Sequence, residues 1–107
     1  MVVVRTVELA GTTVHYREAG RQHRGAKPAV VFLHGLGSGS GAWEQNLEVI
    51  GRGFWCLAPD LVGFADTPPP PGVYRYTPTT VVTYLHRLLD RLEVDEAFLV
   101  GWSLGGG

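Results

Sequence analysis

The sequence predicts an α/β fold with a mostly parallel sheet, an antiparallel hairpin at its amino terminus and flanking helices. Three short segments, 30–33, 54–58 and 97–100, are continuously apolar, as is expected of strands that are covered on both faces. Apolar residues recur at helical spacing over 43–50 and 77–92, between these segments. Strands that alternate with helices in this order favour parallel pairing.

The amino-terminal segment predicts a hairpin with one face in water. Apolar and polar residues alternate over 13–17 and, less regularly, over 3–9, where Val4 interrupts the pattern. This is the two-residue period of a half-buried strand. Ala10-Gly11 supplies a turn between the two runs. Residues 19–27 are polar and are expected to form a loop.

Each of the two predicted helices carries an apolar stripe and end signals. The stripe of the first consists of Trp43, Leu47 and Ile50. The stripe of the second consists of Val81, Leu85, Leu88 and Leu92. Ser40 or Gly41 is available to cap the first helix, and the glycines after residue 50 end that helix. Thr77 can cap the second, and the fixed φ of Pro78 suits its first position.

Length and composition restrict the class of protein. The 107 residues allow one domain, and a net charge of −1 leaves no basic stripe for nucleic acid. Cys56 is the single cysteine, which excludes an internal disulfide framework. Arg5 and Glu8 interrupt any signal-peptide core, and no apolar run approaches the roughly 20 residues that cross a bilayer. We therefore expect one soluble, cytoplasmic domain over residues 1–107, with neither nucleic acid nor membrane as partner; the oligomeric state stays open.

A candidate nucleophile lies in the motif Gly101-Trp102-Ser103-Leu104-Gly105, directly after the last apolar strand. A strand that turns sharply into a helix needs small residues on both sides of the turn, and Gly101 and Gly105 supply them. Ser103 then occupies the tip of a nucleophile elbow. This position is also a helix amino terminus, where free N–H groups favour developing negative charge.

A second glycine-rich segment, His34-Gly35-Leu36-Gly37, also follows an apolar strand directly. Flexible backbone at a strand end can direct N–H groups at an oxyanion. A phosphate-cradling loop is the competing interpretation, but the Lys-Ser/Thr pair that such a loop carries is absent at the required offset.

Three motifs in this order and spacing resemble the α/β-hydrolase superfamily. They are H-G-L-G at 34–37, D-L-V-G-F at 60–64 and G-W-S-L-G-G at 101–106. The resemblance covers nearly the whole chain. It implies the amino-terminal portion of an α/β-hydrolase fold.

The resemblance also implies a role for each motif residue. Ser103 corresponds to the nucleophile, and the backbone N–H groups of Leu36 and Leu104 correspond to the oxyanion hole. The supporting positions are His34, Gly35, Gly101 and Gly105. The family chemistry implied here uses no metal and no organic cofactor, and its partner is a small-molecule acyl substrate.

Asp60 corresponds to a structural aspartate that anchors the following loop in the family, and we do not take it for the catalytic acid. The family loop after it usually runs Gly-x-Gly-x-Ser. Here Ala65 replaces the second glycine and Thr67 replaces the serine, so the loop departs from the family pattern.

A serine nucleophile needs a base and an acid that orients the base. Family members supply the acid after a later strand and the histidine after the last one, and both positions lie beyond Gly107. We therefore expect the chain to be an amino-terminal fragment, inactive alone, with residues 97–100 left as an exposed apolar edge.

Two functional classes remain open. In the first, the parent protein is an esterase-like enzyme that cleaves a carboxylic ester or similar acyl bond. Ser103 argues against the dehalogenase and epoxide-hydrolase branches, which place aspartate at this position. Lyase, thioesterase, lactonase and cofactor-free haloperoxidase members share the same amino-terminal half, so the reaction type stays open. In the second class, the chain is an inert remnant or part of a ligand receptor built on the same fold.

Overall fold

The computed structural model describes residues 1–9, 11–34, 39–60 and 78–101. Five strands and two α-helices lie within these ranges. They are β1 (Val3–Leu9), β2 (Thr12–Ala19), β3 (Ala29–Leu33), α1 (Glu44–Ile50), β4 (Cys56–Pro59), α2 (Pro78–Arg91) and β5 (Ala97–Gly101). Neither helix is long and apolar enough to cross a membrane.

The strands form one mixed sheet in the order β1-β2-β4-β3-β5. β1 pairs antiparallel with β2, and β2 pairs antiparallel with β4. β3 lies between β4 and β5 and is parallel to both. The predicted fold class, a mostly parallel sheet that starts with an antiparallel hairpin, is confirmed.

The hairpin keeps one face in water, as the alternation predicts. Val3 pairs with Glu18 and Leu9 with Thr12, around a turn in which Gly11 has a φ of 80°. The even-numbered residues of β2 are buried, while residues 13, 15 and 17 are half-buried. Most of β1 is exposed.

The two helices cover opposite faces of the sheet, and all five residues of β3 are buried between them. α1 covers one face, where the core consists of Ala19, Val30, Phe32, Leu47, Cys56 and Ala58. α2 covers the other, where the core consists of Tyr16, Ala29, Val31, Leu33, Trp55 and Leu57. This double cover explains why the β3 sequence shows no polar alternation.

The strand predicted over 54–58 is displaced along the chain. β4 begins at Cys56 and ends at Pro59. The N–H of Phe54 donates to the carbonyl of Ile50 at 3.1 Å, so the turn that ends α1 still includes Phe54. The backbone becomes extended only after this turn closes.

The amino terminus of α1 also differs from the prediction. A 3-10 turn over Ser40–Trp43 leads directly into α1, and Ser40 is buried rather than capping with its side chain. The loop predicted over 19–27 contains a second 3-10 turn at Arg21–His23. α2 begins at Pro78 as predicted, whereas Thr77 lies outside the described residues.

Candidate functional site

Two neighbouring parallel strands end at the same level of the sheet. Leu33 of β3 pairs with Gly101 of β5. The segments 34–37 and 102–105 therefore follow directly from adjacent strand ends, which lie about 4.8 Å apart in a sheet. In open α/β sheets, this carboxyl edge is where ligands bind.

β4 brings Asp60 to the same edge from the other side of β3. Val31 pairs with Leu57, and the same register continued by three residues places His34 level with Asp60. Three predicted motifs thus begin at one edge, at the ends of β3, β4 and β5.

The predicted site residues divide between described and undescribed positions. His34 and Gly101 lie within the described residues. The others, Ser103, Leu36, Leu104, Gly35 and Gly105, lie outside them. Their roles stay predictions, and the geometry that supports those predictions comes from the strand ends on which the motifs start.

His34 is fully buried at the carboxyl end of β3. A general base must reach the proton that it removes, whereas a buried ring packed into a strand end fixes the chain that leaves it. The burial favours the supporting role that the sequence predicts for His34.

The carboxylate of Asp60 holds the connection that precedes α1. Its Oδ1 accepts a hydrogen bond from the backbone N–H of Ser40 at 2.7 Å, and both residues are buried. The backbone N–H of Asp60 donates to the carbonyl of His15 on β2 at 2.9 Å. Sequence reasoning missed this hydrogen bond because Ser40 and Asp60 are 20 residues apart. One signal could have suggested it: an aspartate follows a strand directly, in a chain whose first helix has a glycine-rich start.

Arg17 of β2 forms a second contact with the same helix start. Its Nη1 donates to Oε2 of Glu44 at 3.2 Å, and its guanidinium passes close to Gly41. Both side chains are partly exposed, so this ion pair is a weaker constraint than the buried bond to Asp60.

A buried charge cluster lies at the opposite end of the sheet. Glu18 is almost fully buried and accepts hydrogen bonds from Arg5, from Arg21 and from the indole Nε1 of Trp55, the last at 2.8 Å. Burial raises the pKa of Tyr16, and the Glu18 carboxylate raises it further, while Arg5 and Arg21 act in the opposite direction. Because Glu18 is paired with two cations, the cluster has a structural explanation.

A cleft of about 750 Å³ also lies away from the predicted motifs. Its wall includes Lys27, Trp55, Asp90, Glu93, Asp95 and Glu96. Arg24 crosses it, with its guanidinium 5.2 Å from the centroid of the Trp55 ring and 2.9 Å from Oε2 of Glu93. These residues precede β3, β4 and β5, so the cleft opens at the amino edge of the sheet. It is not the predicted catalytic site.

Cys56 and the histidines at residues 15, 23 and 86 have no predicted catalytic role. Burial raises the pKa of the Cys56 thiol to about 11, which keeps it protonated and unreactive at neutral pH. His86 is exposed, while His15 and His23 are half-buried. Within the described ranges, no three His, Cys, Asp or Glu side chains are grouped as metal ligands.

Comparison with known proteins identifies the family. Residues 28–107 match the family model described as the alpha/beta hydrolase fold. The chain is 40% identical over 97 residues to epoxide hydrolase 1 of Siraitia grosvenorii, covering 90% of this chain and 29% of that protein. It is 41% identical over 85 residues to 2-hydroxy-6-oxo-2,4-heptadienoate hydrolase of Pseudomonas putida, covering 77% and 30%.

The comparison with solved structures agrees with the comparison of sequences. A crystal structure of a haloalkane dehalogenase from Bradyrhizobium elkani USDA94 superimposes with a TM-score of 0.84 at 30% identity, covering 98% of this chain and 34% of that one. The chain thus spans about a third of the length of these relatives, all of which are named as hydrolases or dehalogenases. The strand order, the level strand ends and the family match agree with one another, and the chain belongs to the alpha/beta hydrolase fold family.

Proposed function

We propose that this chain supplies the nucleophile and oxyanion hole of a serine hydrolase that cleaves a carboxylic ester or related acyl bond of a small molecule, with the cytoplasm as its expected compartment. The pairing of Leu33 with Gly101 carries the proposal. Because of this pairing, the segment that contains Leu36 and the segment that contains Ser103 both follow strand ends that lie at the same level of the sheet.

In the proposed reaction, the Oγ of Ser103 attacks the substrate carbonyl carbon while a base removes its proton. The carbonyl oxygen becomes an oxyanion, which accepts hydrogen bonds from the backbone N–H groups of Leu36 and Leu104. Collapse of this intermediate expels the alcohol, which takes up the proton, and leaves an acyl ester on Ser103. Water then hydrolyses that ester to the free acid and restores the serine. The base and the acid that orients it come from outside residues 1–107.

The identity of the nucleophile decides between acyl substrates and the substrates named in two of the relatives. A serine alkoxide that opens an epoxide or displaces a halide forms an alkyl ether. An ether has no carbonyl for water to attack, so the enzyme would stop after one event. A carboxylate nucleophile instead forms an ester that water can hydrolyse. Ser103 therefore favours an acyl substrate, whereas the names of the relatives favour epoxide hydrolysis as the second candidate.

Active-site labelling with a fluorophosphonate tests the proposal on the intact gene product. We expect labelling that Ser103→Ala abolishes, together with p-nitrophenyl acetate hydrolysis that the same variant lowers at least about 100-fold. Cys56→Ala is the matched control at the single cysteine of the chain, and its labelling should equal that of the wild type. Turnover of styrene oxide without any labelling of Ser103 would overturn the acyl proposal in favour of the second candidate.

A further inference from the structure

We propose that Asp60 is a positioning residue for catalysis, which fixes the oxyanion-hole connection by holding the backbone N–H of Ser40. The inference rests on the proposed function, because it assigns the Asp60 carboxylate a role in the rate of acyl transfer. The substrate need not touch Asp60.

The backbone and the carboxylate of Asp60 are both anchored, on different elements. Its N–H donates to the His15 carbonyl at 2.9 Å, which ties the end of β4 to β2. Its Oδ1 accepts the Ser40 N–H at 2.7 Å, which ties the end of β4 to the turn that begins α1. A short bond between a carboxylate and a backbone N–H, with both residues buried, is among the stronger hydrogen bonds in proteins.

The described residues on both sides of the connection between β3 and α1 are held against the sheet. Residues 35, 37, 39 and 41 are all glycine, and glycine loses more conformational freedom on ordering than any other residue. The amino-terminal end is fixed by the buried His34 at the end of β3. The Asp60–Ser40 bond fixes the other end. An amide that stabilises an oxyanion must be held within about 0.5 Å of its productive position, so both tethers bear on the proposed role of Leu36.

Two substitutions remove the same hydrogen bond from opposite sides. Asp60→Ala deletes the acceptor, while Asp60→Asn keeps an oxygen at the same place. Ser40→Pro deletes the donor: a proline suits the first position of a helical turn, and Gly39 is already extended, with φ −161° and ψ −175°, as a residue before proline must be. Glu44→Gln is the matched control, since it breaks the exposed pair with Arg17 on the same helix and leaves the Ser40 amide alone.

The experiment measures kcat, KM and fluorophosphonate labelling rate per folded molecule, on the intact gene product. Losing one oxyanion donor lowers kcat by roughly 100- to 1,000-fold, and a displaced donor should lose part of that. We expect Asp60→Ala and Ser40→Pro each to lower kcat about 10- to 100-fold with KM within about threefold. Asp60→Asn should recover most of the loss, Glu44→Gln should match the wild type, and the double variant should be no slower than the worse single one.

The outcomes separate this inference from the proposed function. If Ser103 of the wild type is labelled, but folded Asp60→Ala and Ser40→Pro react at the wild-type rate, the positioning role is wrong and the proposed function stands. If Asp60→Asn and Asp60→Ala lose equal activity and that loss disappears once the rate is expressed per folded molecule, Asp60 is a purely structural residue. If the wild type is not labelled at Ser103, the proposed function fails and the positioning role fails with it.

Discussion

Gly20 packs directly against the carbonyl of Phe54, so closely that a Cβ at residue 20 would lie 1.9 Å from that oxygen. Gly20 also has a φ of +69°, in the left-handed region. We expect Gly20→Ala to lower the free energy of unfolding by about 3 kcal/mol, because the left-handed backbone costs roughly 1 kcal/mol and the overpacking adds to it. Urea denaturation measures the change.

Two other glycines separate the cost of the left-handed backbone from the cost of the close contact. Gly25 has a φ of +84° but open space around it, and Gly53 has neither a positive φ nor a close neighbour. Gly25→Ala should therefore cost about 1 kcal/mol, and Gly53→Ala less than about 0.5 kcal/mol. Equal effects at residues 20 and 25 would show that the contact with Phe54 is unimportant.

The Glu18 cluster predicts unequal contributions from its two arginines. The Arg5 side chain is 42% exposed, and its Nε donates a short hydrogen bond to Oε1 of Glu18. The Arg21 side chain is 53% exposed, and its Nη1 lies 3.4 Å from Oε2 of Glu18. We expect Arg5→Ala to lower the free energy of unfolding by about 1–2 kcal/mol and Arg21→Ala by less than about 1 kcal/mol. Trp55→Phe, which removes the indole donor and retains an aromatic ring, should cost about 1–2 kcal/mol. Thermal denaturation of the three variants checks the order, and a larger loss for Arg21→Ala than for Arg5→Ala would contradict it.

The sequence was sufficient for the fold class because β3 is covered on both faces and its five residues are accordingly apolar. The boundaries of the strands and helices were less predictable. The strand predicted from residue 54 begins at Cys56, since the N–H of Phe54 still closes the turn after α1. Which turn hydrogen bonds persist depends on how the helix end packs, and an apolar run does not encode that.

The candidate site was predictable where the chemistry is local in sequence. The motifs at residues 34–37 and 101–105 could be found by inspection, and the β3–β5 register then placed the strand ends from which they follow at the same level. The bond from Ser40 to Asp60 and the bond from Trp55 to Glu18 join residues 20 and 37 positions apart. Such contacts are set by strand order, so they become visible only once the sheet is assembled.

The buried thiol predicts a pH dependence of stability. The pKa of Cys56 rises from 9.0 to about 11 on folding because burial disfavours the thiolate. The unfolded chain therefore loses its proton first. The contribution of the buried, protonated Cys56 thiol to the free energy of unfolding is complete below pH 9 and is lost as the pH rises from about 9 to 11.

Urea denaturation between pH 8 and 11 measures this effect. The wild type should lose stability across that interval, and Cys56→Ala should lose less. Tyr16 also has a raised pKa and adds a decline that persists in the variant. A second readout is alkylation: iodoacetamide at pH 8 should modify Cys56 in urea and spare it in the folded protein. Identical stability profiles for the two proteins would contradict the prediction.

The two edges of the described sheet differ in how they discourage association. β1 carries Arg5 and Glu8, charges that oppose pairing with another chain. β5 carries no charge, and Phe98 and Leu99 are 56% and 59% exposed. Of the strands in the described part of the chain, β5 pairs with β3 alone.

We therefore expect the 107-residue chain to associate with itself through β5. Sedimentation velocity should show species that grow with protein concentration, and Leu99→Lys should raise the apparent dissociation constant at least about tenfold, because a lysine on an edge strand disfavours pairing. Val4→Lys is the matched control, since Val4 is 56% exposed on the opposite edge. An equal effect of the two lysines would point to net charge instead of the β5 edge, and a wild-type chain that stays monomeric at every concentration would show that this edge does not mediate association.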